Sequence, residues 1–151
     1  MVPQKLTFSP LSRRQIETDF SGGHITSDAG LLLLREVDKQ HRLTQRLAET
    51  LTDQRDARMI RHGLNTMIRQ RVYGVASGYE DLNDHEALRF DQALQTATGN
   101  ASTLAGKSTL CRMEQAMDRQ TIVKAHELLW HHFIEQHEKP PKEIVLDFDG
   151  T

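Results

Sequence analysis

At 151 residues the chain can hold one ordinary domain with a real core, and 37% hydrophobic with 26% charged residues excludes wholesale disorder. The formal charge of −2 is nearly balanced, so clustering of charge matters more than its total, and a nucleic-acid partner stays open. Cys111 is the only cysteine, which excludes an internal disulfide; the aliphatic run at 31–34 is too short to cross a bilayer, and no apolar signal segment follows the start. The expectation is a cytoplasmic protein without membrane contact.

In chain order, residues 5–9 and 15–20 read as two short strands forming a hairpin around the turn-prone Ser9-Pro10, with Ser21-Gly22-Gly23 breaking the second. Ser27 or Asp28 is placed to cap a helix carrying Leu31, Leu32, Leu34 and Val37, and a second short helix spans 43–51. The best-defined periodicity predicts a helix over 56–75, with Ile60, Leu64, Met67, Ile68, Val72 and Val75 on its apolar face and Gly74 and Gly78 loosening its end. A polar connection at 79–84 leads into a helix around 85–96, and Thr98-Gly99-Asn100 reads as a loop. Ser108 is a reasonable cap for a helix through Met117. A last helix over 119–138 should bury Ile122, Ala125, Leu129 and Phe133 before Pro140-Pro141 stops it.

That double proline divides the chain into an α-rich region at 1–140 and a final strand at 141–151. In the strand Ile144, Leu146 and Phe148 should pack on one face, while Asp147 and Asp149 project together from the other. Neighbouring carboxylates repel, and a dry site keeps both ionised only with a compensating cation; oxygen ligands of this kind suit Mg²⁺ or Mn²⁺. The plainer alternative is a strand end whose acids face water.

On the 56–75 helix, Arg58, Arg61 and Arg69 fall near one face with Asn65, and Arg55 lies beside its start, a stripe suited to phosphate contacts or simply to solvent. Arg71 falls among the apolar residues and needs an acid, for which Asp81, Asp84 and Asp91 are in reach. Gly106-Lys107-Ser108-Thr109 imitates the end of a phosphate-binding loop, but the required upstream glycine is Ala101; capping, with Lys107 and Arg112 near a phosphate, is the better reading. The acidic run at 80–91 lacks the spacing of a calcium loop, and Trp130 stands where a zinc-protease helix needs its second histidine.

From about residue 20 to Thr151 the motif order resembles a bacterial insertion-sequence transposase of the DDE type, of the family numbered thirteen-eighty. The markers are Ser27-Asp28-Ala29-Gly30, Asp53-x-Arg55, Gln70-Arg71-Val72, Gly78-Tyr79-Glu80-Asp81-Leu82-Asn83-Asp84, Leu88-Arg89, Ser108 through Glu114, and the terminal strand. The resemblance implies a mainly α N-terminal region with a small β element, serving DNA binding or oligomerisation. It also implies that residues 141–151 are the first strand of an incomplete RNase H-like α/β catalytic domain. Asp149, or Asp147 on the same face, would be the first acid of a metal-binding triad using Mg²⁺ or Mn²⁺ in the complete enzyme, with transposon-end DNA as partner and a second copy of the chain as a candidate one. The other acids lie outside these residues, so the chain alone is expected to bind no metal tightly and not to catalyse transposition. Leu146-Asp147-Phe148-Asp149-Gly150-Thr151 also resembles the first motif of haloacid dehalogenase-type phosphatases, with Asp147 as nucleophile and Asp149 as acid/base; a third reading is a non-catalytic DNA-binding truncation.

Overall fold

The computed structural model describes residues 5–19 and 27–146. Its elements are β1 (Leu6–Leu11), β2 (Arg14–Thr18), α1 (Leu31–His41), α2 (Leu43–Glu49), α3 (Leu64–Ala76), α4 (His85–Leu88), α5 (Gln92–Thr98), α6 (Lys107–Gln115) and α7 (Arg119–Glu135), with 3₁₀ turns at Ala57–Met59 and Leu82–Asp84. The expected mainly helical architecture with a small β element is present.

The hairpin forms, but it turns at Ser12-Arg13, where Ser12 takes φ 54°, rather than at Ser9-Pro10. Pro10 sits where the register shifts between Phe8 and Leu11, at an irregularity of a strand with a free edge, a place that tolerates its missing N–H. Buried Arg35 ties the hairpin down by donating from Nη1 to the Ser9 carbonyl at 2.9 Å. Gly30, and not Ser27 or Asp28, occupies the N-cap of α1, and the Asp28 carboxylate accepts from the Tyr79 hydroxyl at 3.0 Å. Val37, expected in the core, is exposed.

Helix α3 begins eight residues later than 56, at Leu64. The Asp56 carboxylate accepts from the Arg58 N–H and holds a 3₁₀ turn, after which Ile60 and Gly63 are extended. Local side-chain bonding of this kind competes with helix propagation. From Leu64 onward α3 is the central element. Tyr73 joins Leu31, Leu88, Ala93, Leu94, Ala97 and Leu104 in one core cluster, while Met67 and Ile68 join Ala105, Leu110 and Met113 in another. Val75, expected on the buried face, is exposed.

Several sequence motifs resolve into the bonds that assemble this core. The Gln70 side chain is fully buried and clamps one residue of the loop before α6, donating to the Ala105 carbonyl at 2.8 Å and accepting from its N–H at 3.1 Å. Gln70 Nε2 also lies 3.2 Å from His85 Nδ1, an acceptor for that amide, which puts the ring proton on Nε2. His85 fits because position 74 is glycine: a Cβ there would meet the ring at 2.8 Å. Arg71 does find an acid, but it is Glu114 on α6, at 2.6 Å, and not Asp81, Asp84 or Asp91. Its other nitrogens donate to the Tyr79 and Glu80 carbonyls, so the side chain staples α3 to the connection that follows it. Around Asp38, Thr44 and Tyr73 donate to the carboxylate and Arg69 approaches it at 3.5 Å, a buried polar knot joining α1, α2 and α3.

The helix expected over 85–96 is two, because Asp91 stops and restarts it by accepting from the Leu94 N–H at 2.7 Å. Gly99, at φ 79°, then ends α5 in the left-handed region that glycine favours. Helix α6 is capped at Gly106 rather than Ser108, and the Lys107 N–H is satisfied by Glu86 Oε1 at 2.8 Å.

Helix α7 forms, ending at Glu135, but none of its residues is fully buried. Thr121, Ala125, Leu128 and His132, spaced as one stripe, are half-buried, and α7 touches α2. An Arg46–Glu135 ion pair at 2.7 Å and an edge-on His41–His132 ring contact hold that edge. Ile122, Leu129 and Phe133, expected in the core, are therefore exposed, together with Val123, Trp130 and Ile134. A seven-residue α2 is too short and narrow to cover so wide an apolar arc.

Candidate nucleic-acid interface

A cavity of about 1000 Å³ opens between the segment at 50–62, the start of α3, the turn between α4 and α5, and the α6–α7 region. Five cations line it, Arg55, Arg61, Arg89, Arg112 and Lys124, against three carboxylates, Asp53, Glu86 and Asp118. Each of those acids is already engaged. Asp53 grips Arg55 with two bonds of 2.7 Å, Glu86 holds the Lys107 N–H and Arg89, and Asp118 caps α7 by accepting from the Thr121 N–H. A chain with net negative charge thus presents a groove of net positive charge, which suits a polyanion.

The cations differ in how firmly they are held. Arg55 is oriented by Asp53 and by a bond to the His62 carbonyl at 3.1 Å, so its guanidinium is fixed before any ligand arrives. The Asp53 carboxyl lies below its ordinary range because of hydrogen bonding from Arg55. Arg61, Arg112 and Lys124 are exposed, and Arg112 makes only a long 3.4 Å bond to Thr109. His62 is pushed below its usual pKa by burial, then by Arg61 and Arg55, so at neutral pH it is an uncharged member of the groove.

Of the residues expected to contact DNA, the fold brings Arg55, Arg61 and Arg112 to this groove. The continuous helical stripe does not form, because 56–63 is not α-helix. Arg58 lies on the 3₁₀ turn, paired with Asp56 at 2.6 Å, and is outside the cavity lining. Arg69 turns inward, with Asp38 as its partner and a bond to the Thr98 carbonyl at 3.2 Å. Lys107 is exposed beside the groove and donates to Asn83 at 2.9 Å. Arg89 and Lys124 were not singled out as ligand contacts from the sequence. Arg89 stands in the Leu88-Arg89 motif, which was the available signal; an isolated Lys124 on a helix gives none.

Asp147 and Asp149 lie outside the described residues. Just before them, residues 143–146 pair with no strand, and Ile144, Val145 and Leu146 are exposed, Val145 to 84%. The packing expected beneath the acids is therefore not made by Ile144 and Leu146, since the one sheet among the described residues pairs only β1 with β2. Among the described residues no three His, Cys, Asp or Glu side chains gather as a metal site, and no helix is long and apolar enough to cross a membrane. His126 and His137 each spend Nδ1 on a carbonyl of their own helical turn, of Ile122 and Phe133, at 2.8 Å.

No curated protein and no solved structure matches this chain. The family model described as transposase DDE domain group 1 matches residues 8–151, which takes in the groove, every helix and the acidic C-terminal segment. The order of motifs, the cationic groove and this match along nearly the whole length agree: the chain belongs to the transposase DDE domain group 1 family.

Proposed function

We propose that these residues form the DNA-gripping front of an insertion-sequence transposase of the family numbered thirteen-eighty, acting at transposon ends. Membership of the DDE family makes DNA the implied ligand, and the observation that carries the proposal is the groove with its five cations. Arg61, Arg112 and Lys124 are free to meet phosphate oxygens, Arg89 lines the same wall, and Arg55 arrives pre-oriented by Asp53. Lys107 extends the same surface, while Arg58 and Arg69 take smaller parts because each is paired within the chain.

In the same reading, residues 141–151 supply the first strand of the catalytic domain, with Asp149 or Asp147 as its first acid. The donor chemistry fits, since alternating carboxylates are hard oxygen ligands of the sort Mg²⁺ or Mn²⁺ takes. A bound divalent ion of this kind stabilises developing charge in phosphoryl transfer. Unpaired, exposed residues 144–146 and the open apolar face of α7 are surfaces such a domain would use. Nothing in the fold or the family match favours the phosphatase reading.

Binding of labelled duplex DNA across a salt series tests the proposal. The logarithm of affinity should fall linearly with that of salt concentration, and the triple variant Arg61→Ala/Arg112→Ala/Lys124→Ala should reduce the slope by roughly 3. A salt-independent affinity, or a slope the triple variant leaves unchanged, sinks it.

A further inference from the structure

The groove holds more than phosphate recognition requires. Gripping a backbone needs cations, yet two of the large apolar side chains that line this cavity are open to solvent: Met59, 82% exposed, and Phe90, 57% exposed. Tyr73, by contrast, is 1% exposed in the core, while the other open aromatics, Trp130 and Phe133, sit on α7 outside this groove. Phe90 is not left out by looseness. The turn that bears it is fixed by bonds from the Phe90 N–H to the Ala87 carbonyl and from the Leu104 N–H and Gln95 Nε2 to the Arg89 carbonyl, all at 3.0 Å. Asp91 then caps α5 immediately afterwards. Arg89 stands over the Phe90 ring, its guanidinium carbon 4.7 Å from the ring centroid, while Glu86 holds that guanidinium at 3.4 Å. The result is an exposed aromatic ring on a hydrogen-bonded turn, with a cation stacked on it and further cations around it.

We infer that this groove receives nucleic acid with an unstacked base, which lies against Phe90 while Arg61, Arg89 and Arg112 hold the flanking phosphates. An intact duplex offers a groove of this kind only its sugar-phosphate edge. A frayed end, an extrahelical base or a single strand offers a π-face that an exposed phenyl ring can cover, and stacking of this type tolerates any base. A protein partner would also cover Phe90, but the surrounding cations favour the polyanion. The inference rests on the nucleic-acid reading of the groove and adds to it the state of the ligand.

The test compares three DNA probes of one sequence: a blunt duplex, the same duplex with one extrahelical 2-aminopurine, and the single strand. The full chain should bind the two probes with an unstacked base about tenfold more tightly than the blunt duplex, and should quench the 2-aminopurine. Phe90→Ala should remove the preference and the quenching. Phe90→Trp should restore both, which a merely structural role would not predict. Salt-sensitive binding to all three probes with equal affinity overturns this inference and leaves the DNA reading standing. A preference that survives in Phe90→Ala likewise overturns it. Binding to none of the probes removes both, and leaves a protein partner as the occupant.

Discussion

Helices α3 and α7 are both amphipathic, but five residues of α3 are buried and none of α7 is. The difference lies in neighbours. Helix α3 is flanked by α2 and α5 and clamped further through Gln70 to Ala105 and Arg71 to Glu114, so each side meets another part of the chain. Helix α7 meets mainly α2, through a single stripe and an ion pair at its end. Periodicity states that a helix has an apolar face to cover; whether the face is covered depends on contacts distant in sequence. One region is thus a self-contained core, while the apolar face of α7 stays open among the described residues.

The largest expected effect that sharpens this contrast is in packing. Leu94→Ala, in the cluster around Tyr73, should cost about 2–5 kcal/mol of unfolding free energy, whereas Leu129→Ala on α7 should stay within about 0.5 kcal/mol. Urea denaturation of both variants measures it, and comparable losses would mean that α7 is buried after all. Next comes Gly74→Ala, whose new methyl would press on a His85 ring that Gln70 prevents from retreating; a cost of about 1–3 kcal/mol is expected. Gly30→Ala has open space around its Cβ and serves as the control.

A smaller, pH-dependent effect also belongs to the core. His85 lies below its ordinary pKa, first because it is buried and then because Arg71 is near. Unfolded His85 takes up a proton near pH 6.5 while folded His85 resists it, so the unfolded state binds more protons in that window. Stability should be full above about pH 6.5 and decline as pH falls below it. His85→Gln should flatten that decline whatever it does to absolute stability, and an unchanged slope would assign the effect to other groups. The smallest signal is optical. Trp130 is the chain's single tryptophan and is 67% exposed, so its emission should be accessible to acrylamide in the native state and shift little on unfolding. A large red shift would contradict an open α7 face.

Much of the self-contained half was legible in the residues. Helices α1 and α3 follow apolar spacing, as does α7 outside that half, and Arg71 announced an ion pair because its position falls among Ile68, Leu64 and Val72. What was not legible depended on distant partners. Glu114 is 43 residues from Arg71, and Glu86, 21 residues away in sequence, satisfies the Lys107 N–H at the start of a helix that Ser108 seemed placed to cap. The late start of α3 reflects a local competition, an Asp56 turn against helix propagation, that apolar periodicity does not register. The groove was half legible: a basic helical stripe was the wrong geometry, yet three of its arginines converge with Arg89 and Lys124 once the chain folds.

The most direct test sets a groove arginine against one outside it. Arg112→Ala and Arg58→Ala remove the same charge from two exposed positions, only one of which lines the cavity. Measured by duplex-DNA binding across a salt series, Arg112→Ala should lower affinity and reduce the salt slope by about 1, while Arg58→Ala should leave the slope nearly unchanged. Equal effects of the two substitutions would mean that DNA binding follows overall charge and not this groove.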